Sequence, residues 1–185
     1  VITCPPNLTI QCTASTAPGG ANGIATATDN CVATPTITST DVTVGGACPQ
    51  EYTITRTWRA TDDCGNSSTC MQTIFVDDST PPVITCPANL TIQCTSSTAP
   101  GGANGTATAT DNCDATPTIT CAQGTLVGPT CGGTITNTYT ATDDCGNTAS
   151  CNQVITVNDD TDPQISCPGP LAGQCTGDVG ACVPS

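Results

Sequence analysis

Thr53-Ile54-Thr55-Arg56-Thr57-Trp58-Arg59-Ala60-Thr61 sets a threonine at every second position but Arg59, and the pattern returns unbroken as Thr134-Ile135-Thr136-Asn137-Thr138-Tyr139-Thr140-Ala141-Thr142. Successive side chains of a strand point to opposite faces. Ile54, Trp58 and Ala60 therefore share one face, and the threonines take the other. Arg56, with Asn137 as its counterpart, breaks the apolar face and is expected near its rim. A strand with one buried face also follows, at Cys70 to Val76 and again at Cys151 to Val157. There the copies share Cys70/Cys151, Gln72/Gln153, Ile74/Ile155 and Val76/Val157, while Met71/Asn152, Thr73/Val154 and Phe75/Thr156 drift. Constancy on one parity and drift on the other mark the buried side. Shorter strands are predicted around Leu8–Cys12, Ile24–Thr28 and Pro35–Thr38, with a drifted loop over Ser39–Gln50. Gly, Pro and β-branched residues interrupt every window long enough for a helix. Short strands between turn signals indicate an all-β chain built as antiparallel β-sandwiches.

The pattern is doubled because the chain is a tandem repeat. Residues 1–38 match 83–120 without a gap and differ at four positions: Pro6/Ala88, Ala14/Ser96, Ile24/Thr106 and Val32/Asp114. Asp77-Asp78-Ser79-Thr80-Pro81-Pro82 precedes the second copy, and Asp159-Asp160-Thr161-Asp162-Pro163 introduces a third opening. The boundaries read as module 1 over 1–82, module 2 over 83–163, and a partial third module or assembly segment over 164–185.

Composition narrows the functions. Two basic residues against 15 acidic ones leave a net charge of −13, which excludes a nucleic-acid or anionic-membrane surface. No run is long enough for direct membrane insertion, and the absence of a leader reads as a mature chain or a segment of a longer one. Aromatics are 2% of the chain, so a module of this size buries little apolar surface on its own. Sixteen cysteines without a histidine, and without CxxC spacing, indicate a disulfide framework in an oxidising, extracellular setting. Histidine and lysine are both missing, and Asp62-Asp63 are adjacent on a turn instead of facing across a cleft. The chain reads as a non-enzyme.

These features resemble the hyalin repeat (HYR domain), an immunoglobulin-like sandwich of extracellular adhesion proteins. The likeness is carried by Thr80–Pro87 (TPPVITCP), Ala27–Cys31 and Ala109–Cys113 (ATDNC), and Ala60–Asn66 and Ala141–Asn147 (ATDDCGN), with the Cys-x-Gln-x-Ile-x-Val strand. Versions this rich in Cys, Thr and Asp are similar to repeats in bacterial, Bacteroidetes-type, surface adhesin and fibre proteins. The resemblance implies tandem immunoglobulin-like modules and the pairs Cys4–Cys70 and Cys86–Cys151. An immunoglobulin-like topology brings the loops after the Ala-Thr-Asp turns to one pole, which suggests Cys31–Cys64 and Cys113–Cys145 and leaves Cys12–Cys48 and Cys94–Cys131. Cys121, Cys167, Cys175 and Cys182 are surplus, either bridged within the chain or to a neighbouring one.

The same topology gathers Asp29, Asn30, Asp62 and Asp63 at the first module's pole, and Asp111, Asn112, Asp143 and Asp144 at the second's. The outgoing Asp77 and Asp78 then meet the second set, and such a cluster of hard oxygens suits Ca²⁺. The competing reading is a set of Asx turns capping their own backbone. The expected function is a structural repeat unit of an extracellular fibre or adhesin stalk, stiffened by disulfides and inter-module calcium. The alternative is a carbohydrate-binding or accessory module of a secreted hydrolase, which needs an exposed aromatic platform. Expected partners are other copies of the chain, head to tail through Asp159–Ser185 with Gln164–Cys167 as an added strand, and a cell-surface or matrix ligand that the sequence does not name.

Overall fold

The computed structural model describes residues 1–31 and 34–166. Within the first repeat lie β1 (Ile2–Thr3), β2 (Leu8–Gln11), β3 (Thr26–Ala27), β4 (Thr36–Gly45), β5 (Tyr52–Thr61) and β6 (Ser67–Asp77). The second holds β7 (Val83–Thr85), β8 (Leu90–Gln93), β9 (Thr108–Thr110), β10 (Thr118–Gln123), β11 (Thr134–Thr142) and β12 (Thr148–Asn158). Each repeat forms a two-stranded sheet, β1-β3 or β7-β9, and a four-stranded sheet, β2-β6-β5-β4 or β8-β12-β11-β10. Pairing is antiparallel except for β2 on β6 and β8 on β12. The opening segment changes sheets at Cys4-Pro5-Pro6, where proline has no N–H to offer a ladder. The chain is all-β, tandem, immunoglobulin-like and disulfide-bonded.

The parity that the repeats hold constant is the buried one. Gln72, Ile74 and Val76 are buried, while Met71 is 70% exposed. Ile54, Ile74 and Val76 pack with Leu8, Ile10, Cys12 and Tyr52. Trp58 is a core residue, its ring buried. The sequence pattern did not reveal what Gln72 does there. It accepts the Trp58 Nε1 hydrogen at 3.3 Å and donates to the carbonyls of Pro6 at 3.0 Å and Asn22 at 2.8 Å. Gln153 repeats this with Tyr139 Oη, Ala88 and Asn104. One buried amide thus ties the opening segment and the Gly20–Asn22 turn onto the large sheet. That turn ends at Gly23, at φ 71°, where a Cβ would meet Pro5 Cβ at 2.9 Å, so only glycine fits.

Arg56 is not at a rim. It is 1% exposed, and it stands opposite Asp41 because β4 runs to Gly45 through the region read as a loop. Its Nε and Nη2 donate to the two Asp41 carboxylate oxygens at 2.8 Å each, Nη2 also donates to Thr16 O at 2.6 Å, and the guanidinium lies 5.8 Å from the Trp58 ring. The second repeat puts Asn137 opposite Gln123, which donates to Thr98 Oγ1 at 3.0 Å. The ion pair of the first copy has no equivalent in the second, where the buried Asn137 amide has no hydrogen-bond partner among the described residues. Beyond β12, Gln164, Ile165 and Ser166 form no strand. Cys167, Cys175 and Cys182, with the rest of the proposed docking segment, lie outside the described residues.

Candidate functional site: the joint between the repeats

β6 delivers the linker directly to the next sandwich. The Asp77 carbonyl accepts the Cys12 N–H at 2.9 Å, which closes the end of the first large sheet. Gln11 Nε2 donates to Ser79 Oγ at 2.6 Å, and Thr80 Oγ1 donates to Gln11 Oε1 at 3.3 Å. From the other side, Asn147 Nδ2 donates to the Asp78 carbonyl at 2.9 Å. Both repeats therefore hold the linker, and Asp78 is left 4% exposed between them.

Around Asp78 stand the two Asp turns of the second repeat. Asp111 Oδ1 accepts the N–H groups of Cys113 at 2.8 Å and Asp114 at 2.9 Å. Asp143 Oδ1 accepts those of Cys145 at 3.0 Å and Asn147 at 2.7 Å, and its Oδ2 accepts Asn147 Nδ2 at 2.8 Å. Both carboxylates make Asx turns, yet each still offers an oxygen to Asp78: one from each of the three lies within 4.8 Å of the others. Asp78 Oδ2 and Asp111 Oδ2 are buried without a hydrogen-bond partner among the described residues. Ionised carboxylates only accept, so nothing in this trio can satisfy its neighbours. Burial raises the Asp78 pKa; the Thr80 N–H opposes this, and repulsion from Asp111, Asp143 and Asp77 adds to it. Asp111 goes the other way: burial pushes it up, but the N–H groups of Asp114, Cys113 and Asn112 together hold it below the usual carboxylate value.

Of the residues read as site candidates, the structure unites Asp78, Asp111 and Asp143. Asp77 stays outside that trio. Asp144 is exposed, and its N–H donates to Asp114 Oδ2 at 3.1 Å. Asn112 Nδ2 faces the sulfurs of Cys113 and Cys12. In the first repeat, Asp29 and Asp62 cap Cys31 and Cys64 and, with Asn66, line a cavity of about 200 Å³; Asn30 and Asp63 are exposed. The sequence reading grouped Asn147 with the Asp143-Asp144 turn but did not identify it as the residue that grips the linker. Its equivalence to Asn66 in the ATDDCGN motif was the available signal.

The disulfides correct the pairing expected within each repeat. Cys4–Cys70 and Cys86–Cys151 are present, with Cα–Cα distances of 5.9 and 5.8 Å. Cys12, however, bonds Cys113 across the joint, and Cys48 bonds Cys145, with Cα–Cα distances of 6.1 and 5.0 Å. Cys12–Cys48 and Cys113–Cys145 are therefore not formed. Cys31, Cys64, Cys94, Cys121 and Cys131 are exposed free thiols, so Cys31–Cys64 and Cys94–Cys131 are not formed either. The physical reason is geometric: the short linker sets the outgoing pole of one sandwich against the incoming pole of the next. Two bridges and the linker give the joint three covalent connections.

No family model matches the chain, and no curated protein matches it. Among solved structures, the crystal structure of the protocadherin gammaB4 extracellular domain matches at 15% identity and a TM-score of 0.31, over 85% of this chain and 32% of that one. The chain thus spans about a third of the length of that structure.

Proposed function

We propose that the chain is a structural segment of an extracellular tandem array, of the hyalin-repeat kind, that serves as a stiff fibre or adhesin stalk. It is non-enzymatic, and each of its joints is locked by two disulfides and one Ca²⁺. The observation that carries the metal is the trio Asp78, Asp111 and Asp143, with buried Oδ2 atoms of Asp78 and Asp111 that no donor among the described residues reaches. Isolated turns would be expected to leave such oxygens in water. Calcium takes six to eight oxygen ligands in flexible geometry, so three carboxylates leave positions for water. Asp78, Asp111 and Asp143 would hold the ion, supplying charge from the linker and both turns.

The carbohydrate-binding alternative finds less support, because Trp58 and Tyr139 are each 3% exposed and cannot form a sugar platform. The four disulfides favour an oxidising, extracellular location. Calorimetric titration with Ca²⁺, paired with melting curves in Ca²⁺ and in EDTA, tests the reading. A native-state ligand present at about 100 times its Kd adds about 2.7 kcal/mol of stability. Melting should therefore move up with calcium, while the bridges hold the interdomain angle in both conditions. No heat of binding and coincident melting curves would leave the aspartates as turn caps only.

A further inference from the structure

Every inter-repeat bridge has an outgoing cysteine and an incoming one. Cys12 and Cys48 leave the first repeat, and Cys113 and Cys145 receive them on the second. Repeat register places Cys94 where Cys12 stands, and Cys31 and Cys64 where Cys113 and Cys145 stand, while Cys131 lies in the drifted β10–β11 loop as Cys48 lies in the β4–β5 loop. Local geometry agrees. The Cys94 N–H donates to Asn158 O at 2.8 Å, as the Cys12 N–H does to Asp77 O at 2.9 Å. The Cys31 and Cys64 N–H groups donate to Asp29 and Asp62 Oδ1, as those of Cys113 and Cys145 do to Asp111 and Asp143. Cys31, Cys64, Cys94 and Cys131 are all exposed thiols.

A second observation concerns the linker and its socket. Asp111, Asp143 and Asn147 receive Asp78; their first-repeat counterparts Asp29, Asp62 and Asn66 line the open cavity of about 200 Å³. Asp159 stands in the place of Asp78. Its Oδ1 accepts the Thr161 N–H at 3.1 Å, as Asp78 Oδ1 accepts that of Thr80, and Gln93 bonds Asp160 as Gln11 bonds Ser79. Asp159 is exposed where Asp78 is buried. The described residues thus carry a complete joint in their middle, a tail-type half on the second repeat and a head-type half on the first.

We propose that the tail-type half of one copy of this chain mates with the head-type half of a second copy, with Cys94 bonding its Cys31, Cys131 bonding its Cys64, and Asp159 entering its Asp29/Asp62/Asn66 socket. Closure within one repeat is disfavoured by the internal precedent: Cys12 and Cys48 sit at the same outgoing pole and bond across the joint instead of to each other. The contact is head-to-tail and heterologous, so it propagates into a covalent chain of chains. Each new bond removes two protons and two electrons from a pair of thiols. A small-molecule disulfide accepts the electrons and leaves as two thiols, through thiolate attack and a mixed disulfide. The proposal deepens the array reading without requiring calcium.

The test is incubation of the purified chain in a glutathione redox buffer with Ca²⁺, followed by non-reducing electrophoresis and peptide mapping. The expected result is a ladder of whole-chain multiples that collapses under reductant, with Cys94 linked to Cys31 and Cys131 to Cys64. Cys94→Ser with Cys131→Ser should abolish the ladder and keep Cys12–Cys113 and Cys48–Cys145; Cys121→Ser should leave it intact. Monomers with Cys94–Cys131, monomers in which these cysteines bond Cys167, Cys175 or Cys182, persistent thiols, or multimers joined through other pairs would each overturn it. Such a failure is separable from the calcium reading, because the internal joint and its calcium response belong to one chain.

Discussion

Asp78→Asn removes one charge from the centre of the joint and keeps the shape of the side chain. Asparagine retains an Oδ1 to accept the Thr80 N–H that Asp78 accepts at 3.3 Å, so the turn itself survives. What changes is repulsion. At 4.8 Å, the outer limit of the spacing within the trio, one pair of unit charges costs about 3.5 kcal/mol at an effective dielectric of about 20. Asp78 faces two such neighbours, and partial protonation relieves part of that cost, in keeping with its raised pKa. A net relief of about 1–2 kcal/mol is therefore expected for the variant without calcium, or very roughly 2–8 °C in melting temperature for a chain of this size. In calcium the order reverses, because the native chain gains about 2.7 kcal/mol at about 100 times Kd and the variant loses a ligand. Thermal melts of both proteins in EDTA and in Ca²⁺, with disulfides kept oxidised, should cross. Equal stability of the two proteins in both conditions, or a variant that is less stable in EDTA, would refute the carboxylate-cage argument.

Cys113→Ser with Cys145→Ser leaves the linker as the only covalent connection between the sandwiches, so small-angle scattering should broaden, most of all in EDTA. A closed loop of 101 residues restrains the unfolded chain by about 4.7 kcal/mol, so melting should fall as well, and an unchanged profile would contradict the bridged joint. Asp41→Ala strands the buried Arg56 guanidinium and should cost about 3 kcal/mol in urea unfolding, the low end for a broken buried pair because Asp41 is 39% exposed. Asp41→Gln with Arg56→Asn puts the second repeat's residues at these positions and removes the stranded charge, so a double-mutant cycle should recover part of that loss. The Arg56 hydrogen bond holds the Asp41 carboxyl below its ordinary value, against the effect of burial. Its contribution is therefore full above about pH 4 and fades as pH falls through the lower native value, a loss absent from the Asp41→Ala profile.

The strands and their buried faces were legible because duplication supplied an internal comparison. Ile74, Val76 and Gln72 held their identity while Met71 and Phe75 drifted, and that parity is the one facing the core. Arg56 was misplaced for a reason that follows from the same comparison. Its partner Asp41 lies in the stretch where the copies diverge, so the extension of β4 to Gly45 left no alternating signal shared by both. A cation on an apolar face is solvated at a rim or paired in the interior. Only the register of the neighbouring strand distinguishes the two.

The cysteine pairing hid behind the repeat itself. Bringing Cys31 and Cys64 to one pole was sound topology, but Cys12 and Cys48 were paired only as the cysteines left over, with no pole assigned to them. Yet in a tandem chain the outgoing pole of one unit is also the neighbour of the next unit's incoming pole. Bonds within a repeat and bonds between repeats then conserve the same cysteines at the same spacing, so composition cannot separate them. The linker length decides. Five residues, Asp78–Pro82, span at most about 18 Å fully extended, and Asp78 is itself sunk into the joint. That shortness presses the two poles together, and it brings the Asp78 carboxylate against Asp111 and Asp143 and the sulfurs of Cys12 against Cys113 in one place. The cation site and the bridges thus depend on the same close approach of the two poles. A longer linker would weaken both together.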